Sequence, residues 1–99
     1  MKPVEYHPES KAESRKAIDW YWTRSQVAAV DFRDELKSAL SRMRKAPNAC
    51  SPYLHGTRRV LLDRFPYYVV FRERLHAIQV IAIAHAKRRP GYWARRLEQ

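Results

Sequence analysis

His85, Lys87, Arg88, Arg89, Tyr92 and Trp93 crowd into residues 85–93 of the chain. An imidazole among cations and rings suits an anion. Guanidinium groups fork onto phosphate or carboxylate oxygens, rings stack on unstacked bases, and an imidazole held against a phosphate can move a proton near neutral pH. Upstream, Arg58, Arg59, Arg64 and Arg72 lie in β-prone segments, where alternate residues share a face, so about half of them can converge with the first group. Such a set suits nucleic acid, an acidic protein segment or a merely solubilising face, and the residue types leave the three open. His85 can equally end a strand and hydrogen-bond a backbone carbonyl. The sequence holds no Walker loop, dinucleotide fingerprint, nucleophile elbow or metal-spaced Cys/His set. His7, His55, His76 and His85 are too scattered for a zinc site, so no metal and no cofactor is expected.

The elements that must carry these groups follow from periodicity. Val4 and Tyr6 alternate in a short strand at residues 3–7, which Pro8 ends. Ser10 and Glu13 stand at capping-box spacing and predict a first helix from Lys11 to Arg24. Trp20, Tyr21 and Trp22 point about 100° apart on such a helix; either all three pack inside, or one anchors a partner. Ser25 caps a second helix, whose apolar positions fall at Ala29, Phe32, Leu36, Ala39 or Leu40, and Met43. The short break makes the pair an antiparallel hairpin over residues 10–45. Pro47, Asn48 and Pro52 mark a loop to Gly56.

Three β-prone runs follow within residues 57–85, separated by a turn at Pro66 and a short connection at residues 73–76. The last, through Ile78, Val80, Ile81 and Ile83 to His85, leaves almost no polar face, as in a strand covered on both sides. The predicted fold is α+β: an N-terminal strand, an α-helical hairpin, then a three-stranded antiparallel sheet with the first strand along an edge. A basic tail at residues 86–99, or a last helical turn carrying Arg95 and Arg96, completes a single domain over residues 1–99.

The 99 residues carry a net charge of +10, unevenly placed: residues 1–50 hold ten basic and seven acidic side chains, residues 51–99 ten and three. The second half should face a polyanionic or acidic partner. Cys50 is alone and most simply an incidental thiol, and no charged-then-apolar leader opens the chain, so a cytoplasmic address is expected. The uncharged run ending at His85 is too short to span a bilayer, and no membrane partner is expected.

VEYHPES, two helices, HGTRRVLLDRFPYYVVFRE and then VIAIAHAKRRPGYW together resemble the RelE/ParE superfamily of bacterial toxins from type II toxin–antitoxin modules, over nearly the whole chain. The resemblance implies a growth-arresting, plasmid-stabilising toxin that forms a hetero-oligomer with a cognate antitoxin, or else an inactive homologue that only binds the antitoxin. One branch of the superfamily cuts mRNA in the ribosomal A site through its own 2′-hydroxyl; the other poisons DNA gyrase without performing hydrolysis itself. In the ribonuclease branch Arg59 takes the place of the first of two strand lysines and Arg88 falls near a terminal arginine. Leu61 stands where the second lysine belongs, Tyr68 where a phosphate-gripping arginine belongs, and Tyr92 is offset from the tyrosine position. Arg59, His85, Arg88 and Tyr92 are thus the catalytic candidates if that branch applies. The run from His85 to Arg89 looks like the gyrase-directed branch, which implies a target-binding set of Arg59, Arg72, His85, Lys87, Arg88, Arg89, Tyr92 and Trp93. The antitoxin is expected at Trp20, Trp22, Phe32 and Leu36.

Overall fold

Pro8 opens the first helix rather than only closing the strand before it. In the computed structural model, which describes residues 1–98, β1 spans Val4–Tyr6 and α1 spans Pro8–Trp22. His7 is the N-cap: its Nδ1 accepts the Glu9 N–H at 3.1 Å, with proline in the first turn, where a missing N–H costs nothing. The expected Ser10/Glu13 capping box is therefore absent. Ser10 lies inside the helix, buried, and donates its hydroxyl to the His7 carbonyl at 2.7 Å. Glu13 is left free to turn toward the sheet.

The second helix, α2, spans Gln26–Lys45, and the Ser25 hydroxyl accepts the Ala28 N–H at 3.2 Å as the sequence predicts. Ala29, Phe32, Leu36, Ala39 and Met43 form its buried stripe, while Arg42, Arg44 and Lys45 complement the negative end of its dipole.

The sheet has five strands instead of a three-stranded meander plus an edge. β2 (Ser51–Pro52), β3 (Arg58–Leu61), β4 (Tyr67–Glu73) and β5 (Ile78–His85) follow, in the spatial order β1-β5-β4-β3-β2. β1 runs parallel to β5 and the other neighbours are antiparallel. The extra strand is two residues long and ends at a proline, too short to leave a periodic signal. β5 is covered on both faces, as its composition requires.

A bulge decides which face each residue of β5 serves. Val70 pairs with Ala82 but Phe71 pairs with Val80, so Ile81 is the extra residue and the alternation changes phase there. Ile78, Val80 and Ile83 join Phe32, Leu36, Met43, Val69 and Phe71 in a core under the helices. Ile81, Ala82 and Ala84 join Tyr68, Val70 and Trp93 in a second core on the other face.

Residues 86–98 build that second core. Of the two expected endings the helical turn is the one that forms: Ala94–Glu98 make a 3₁₀ turn over the sheet carrying Arg95 and Arg96. The segment is packed rather than a solvated tail, with Trp93 fully buried and Arg96 buried. Gly91 supports the crossing with φ 81°, a conformation that L side chains rarely adopt. Among the described residues no helix is long and apolar enough to cross a membrane.

Candidate functional site

His85 ends β5 opposite Tyr67, with the two rings edge to face at 4.9 Å. Its Nδ1 accepts the Lys87 N–H at 3.0 Å, which leaves Nε2 to carry the proton of the neutral ring. A groove of about 430 Å³ opens here between α1 and the β4–β5 end; Lys16, Trp20, Tyr21, Tyr67, His85 and Arg88 line it. Lys16 and Arg88 are exposed cations and the rings are apolar walls, so the groove suits an acidic group attached to an apolar or aromatic body.

Glu13, on the next turn of α1, organises the far wall. Its side chain is only 14% exposed. Its carboxylate accepts the Tyr92 hydroxyl at 2.6 Å, Arg96 at 2.9 and 3.0 Å, and the Ile83 N–H at 3.0 Å, with Arg88 at 3.4 Å. The Arg88 guanidinium lies over the Tyr92 ring at 3.7 Å. Burial, the bond to Glu13 and the charge of Glu13 together push the Tyr92 hydroxyl well above the ordinary tyrosine range. For Arg96, burial pulls the other way, but the bond to Glu13 and its charge hold the guanidinium above its ordinary value.

The sheet separates the remaining basic candidates from His85. Tyr67 and Val69 look toward the helices, while Tyr68 and Val70 look toward the second core. Arg59 pairs with Val70, and its guanidinium packs over the rings of Tyr53 at 4.3 Å and Tyr68 at 5.3 Å. Burial and a bond to Tyr53 push the Tyr68 hydroxyl up to about 12. Arg72, two residues beyond Val70, shares that face and donates Nε to Gln79 Oε1 at 2.8 Å. Burial and then Arg74 lower its pKa. Arg59 and Arg72 therefore sit across the sheet from His85.

Of the target-binding set, Lys87, Arg88 and Arg89 are exposed together beyond His85. Trp93 is not: it is 0% exposed and serves as a core residue, which overturns its placement on the target surface. The antitoxin set divides in the same way. Trp20 and Trp22 are half exposed near the end of α1, with Arg24 stacked on Trp20 at 3.7 Å. Phe32 and Leu36 are buried in the core, because the stripe that makes α2 amphipathic is the stripe it buries. Val27 and Val30, exposed at the start of α2, were missed; both lie off that stripe, which was the available signal. Glu13 and Arg96 were missed as site residues for a different reason, since their partners are distant in sequence, and Lys16 because the groove it lines is closed by residues distant in sequence. Among the described residues no group of three or more His, Cys, Asp or Glu is placed to hold a metal ion.

Comparison with known proteins agrees with this architecture. Residues 4–90 match the family described as the ParE toxin of the type II toxin-antitoxin system, parDE. Two Mycobacterium tuberculosis proteins named Toxin ParE2, from strains CDC 1551 and H37Rv, are 37% identical over 69 residues, covering 65% of this chain. The matched region spans 66% of the length of those curated relatives. A solved chain from the chromosomal ParDE TA system of P. aeruginosa superposes with a TM-score of 0.76 at 18% identity, covering 88% of this chain and 98% of that one, and shares its fold. With the family matched from β1 to the turn after β5, the chain belongs to the ParE toxin family of type II toxin–antitoxin systems.

Proposed function

We propose that this toxin arrests growth by binding and inhibiting DNA gyrase, in the cytoplasm, and that a cognate antitoxin neutralises it in a hetero-oligomer. The observation that carries the reading is the dispersal of the ribonuclease set. A strand-borne cation and an acid/base must meet at one scissile phosphate. Here Arg59 lies across the sheet from His85, and the Tyr92 hydroxyl is committed to Glu13 and pushed away from neutral titration. What is left at the end of β5 is a cationic surface suited to binding: Lys87, Arg88 and Arg89, with His85 beside them.

The purified chain is expected to inhibit supercoiling by gyrase while leaving mRNA on translating ribosomes uncut. The reverse result would restore the ribonuclease alternative. Reversing charge at Lys87 or Arg89, both exposed, should weaken gyrase inhibition about tenfold or more, equivalent to roughly 1.4 kcal/mol of binding.

The antitoxin site supported best is the half-exposed Trp20 and Trp22 with Val27 and Val30 beside the hairpin turn, facing an acidic amphipathic segment. Trp22→Ala should lower antitoxin affinity at least tenfold in a calorimetric titration, yet change unfolding free energy by no more than about 1 kcal/mol, because the ring is half solvated already. Unchanged affinity would move the site elsewhere.

A further inference from the structure

β1 stops short of the length of β5. The His7 N–H makes its bond to the Val80 carbonyl at 2.9 Å, and beyond that point no strand among the described residues lies on the β1 side of β5. An open edge inside a fold leaves polar backbone groups that need partners. Two side chains supply them. Glu13 accepts the Ile83 N–H, and Arg96 donates to the carbonyl of Ile81, the bulge residue, at 3.0 Å. The same two side chains bond each other through both carboxylate oxygens, so α1, the edge of β5 and residues 86–98, the C-terminal strap, meet at one carboxylate.

That carboxylate also reaches the basic end of the sheet. Arg88 is held between Glu13 at 3.4 Å and the face of Tyr92 at 3.7 Å, and the Tyr92 hydroxyl is itself bonded to Glu13. An exposed arginine on a turn samples many rotamers, and ordering it when a partner arrives costs conformational entropy. One held beforehand avoids much of that cost. We propose that Glu13 is a positioning residue for the toxin: without touching the target, it fixes Arg88 and, through Tyr92 and Arg96, the whole strap in the arrangement that the target meets. The inference rests on the reading that residues 85–89 form the target-binding end.

The decisive variant is Glu13→Gln, which keeps the shape and one carbonyl acceptor but removes the charge. Glu13→Ala is the stronger cut, and Arg95→Ala, at an exposed strap position outside this network, is the control. Three readouts are needed on the full chain: ultraviolet titration of the Tyr92 phenol against a Glu13→Gln/Tyr92→Phe double variant, hydrogen exchange at the Ile83 amide and the strap, and growth arrest on induction without antitoxin. Glu13→Gln should bring the Tyr92 ionisation down toward that of an ordinary tyrosine, speed exchange at least tenfold, and raise the expression needed for arrest at least tenfold, with Arg95→Ala unaffected in all three. A loosened strap with undiminished arrest would overturn the proposal, as would a strap unchanged in both Glu13 variants. Loss of arrest at Glu13→Gln with strap exchange and Tyr92 titration unchanged would overturn it too, since the effect would not run through positioning. Growth arrest judges this proposal whatever the target; a wrong target would show separately, as failure of the unsubstituted chain to inhibit gyrase.

Discussion

Ending the chain after Ala86 is expected to unfold the protein, not to leave a folded domain stripped of its toxic surface. Residues 87–98 supply Trp93, the largest fully buried side chain, and Arg96, and they cover Tyr68, Val70, Ile81, Ala82 and Ala84. Trp93→Ala alone should cost about 3–5 kcal/mol, the usual range for truncating a large buried aromatic. Stabilities of small domains are only about 5–15 kcal/mol in total. Removing the strap deletes that packing and also leaves Glu13 and the β5 edge without Arg96, so the losses should exceed what the sheet can bear. Denaturant unfolding followed by circular dichroism would decide it. A cooperative transition in the truncated chain, within about 1 kcal/mol of the parent, would show that the second core is dispensable. Trp93→Phe is the informative intermediate. It keeps most of the apolar contact and removes an indole N–H that has no hydrogen-bond partner among the described residues, so it should cost less than Trp93→Ala.

The helical turn at Ala94–Glu98 was legible in the sequence but its burial was not, because the sequence carries two messages there. Lys87, Arg88, Arg89, Arg95 and Arg96 spell a solvated, anion-seeking end, and periodicity cannot tell which of five cations is folded under. Trp93 was the largest apolar side chain in the segment able to anchor it, with Tyr92 and Leu97 packed beside it, and Gly91 marked the turn that lets it do so. By contrast α2 and β5 were legible because one repeats apolar residues at helical spacing and the other has scarcely a polar face; local pattern and tertiary role coincide in both. β2 was invisible at two residues. The change of face at Ile81 was equally hidden, since a bulge depends on the partner strand as much as on its own residues.

The candidate site divides along the same line. His85 and its exposed neighbours could be read from where an uncharged strand gives way to charge. Whether Arg59 and Arg72 joined them depended on which face of the sheet each occupies, and on that point the bulge and register, not the residue types, decide. Glu13 was recognised but given a local task, because Ser10 three residues before it completes a plausible cap. Pro8 moved the helix start upstream, with His7 as the cap, and so released Glu13 for partners some seventy to eighty residues away.

Arg96→Ala should therefore be among the most damaging single substitutions outside the apolar core, at about 3–5 kcal/mol. The reason is less the attraction lost than the groups abandoned. Arg96 is 8% exposed in its side chain and Glu13 14%, so neither is well placed to recover hydration where it stands. Without the guanidinium, Glu13 keeps only Tyr92, the Ile83 N–H and the more exposed Arg88 around its charge, and the Ile81 carbonyl loses the donor that answers it. A double-mutant cycle separates these effects. If the burden is an uncompensated charge, Glu13→Ala/Arg96→Ala should cost at least 1 kcal/mol less than the sum of the single substitutions. Additive losses would mean that each side chain acts through its own backbone bond, Glu13 through Ile83 and Arg96 through Ile81. In that case the edge of β5, rather than the ion pair, would be what holds the strap in place.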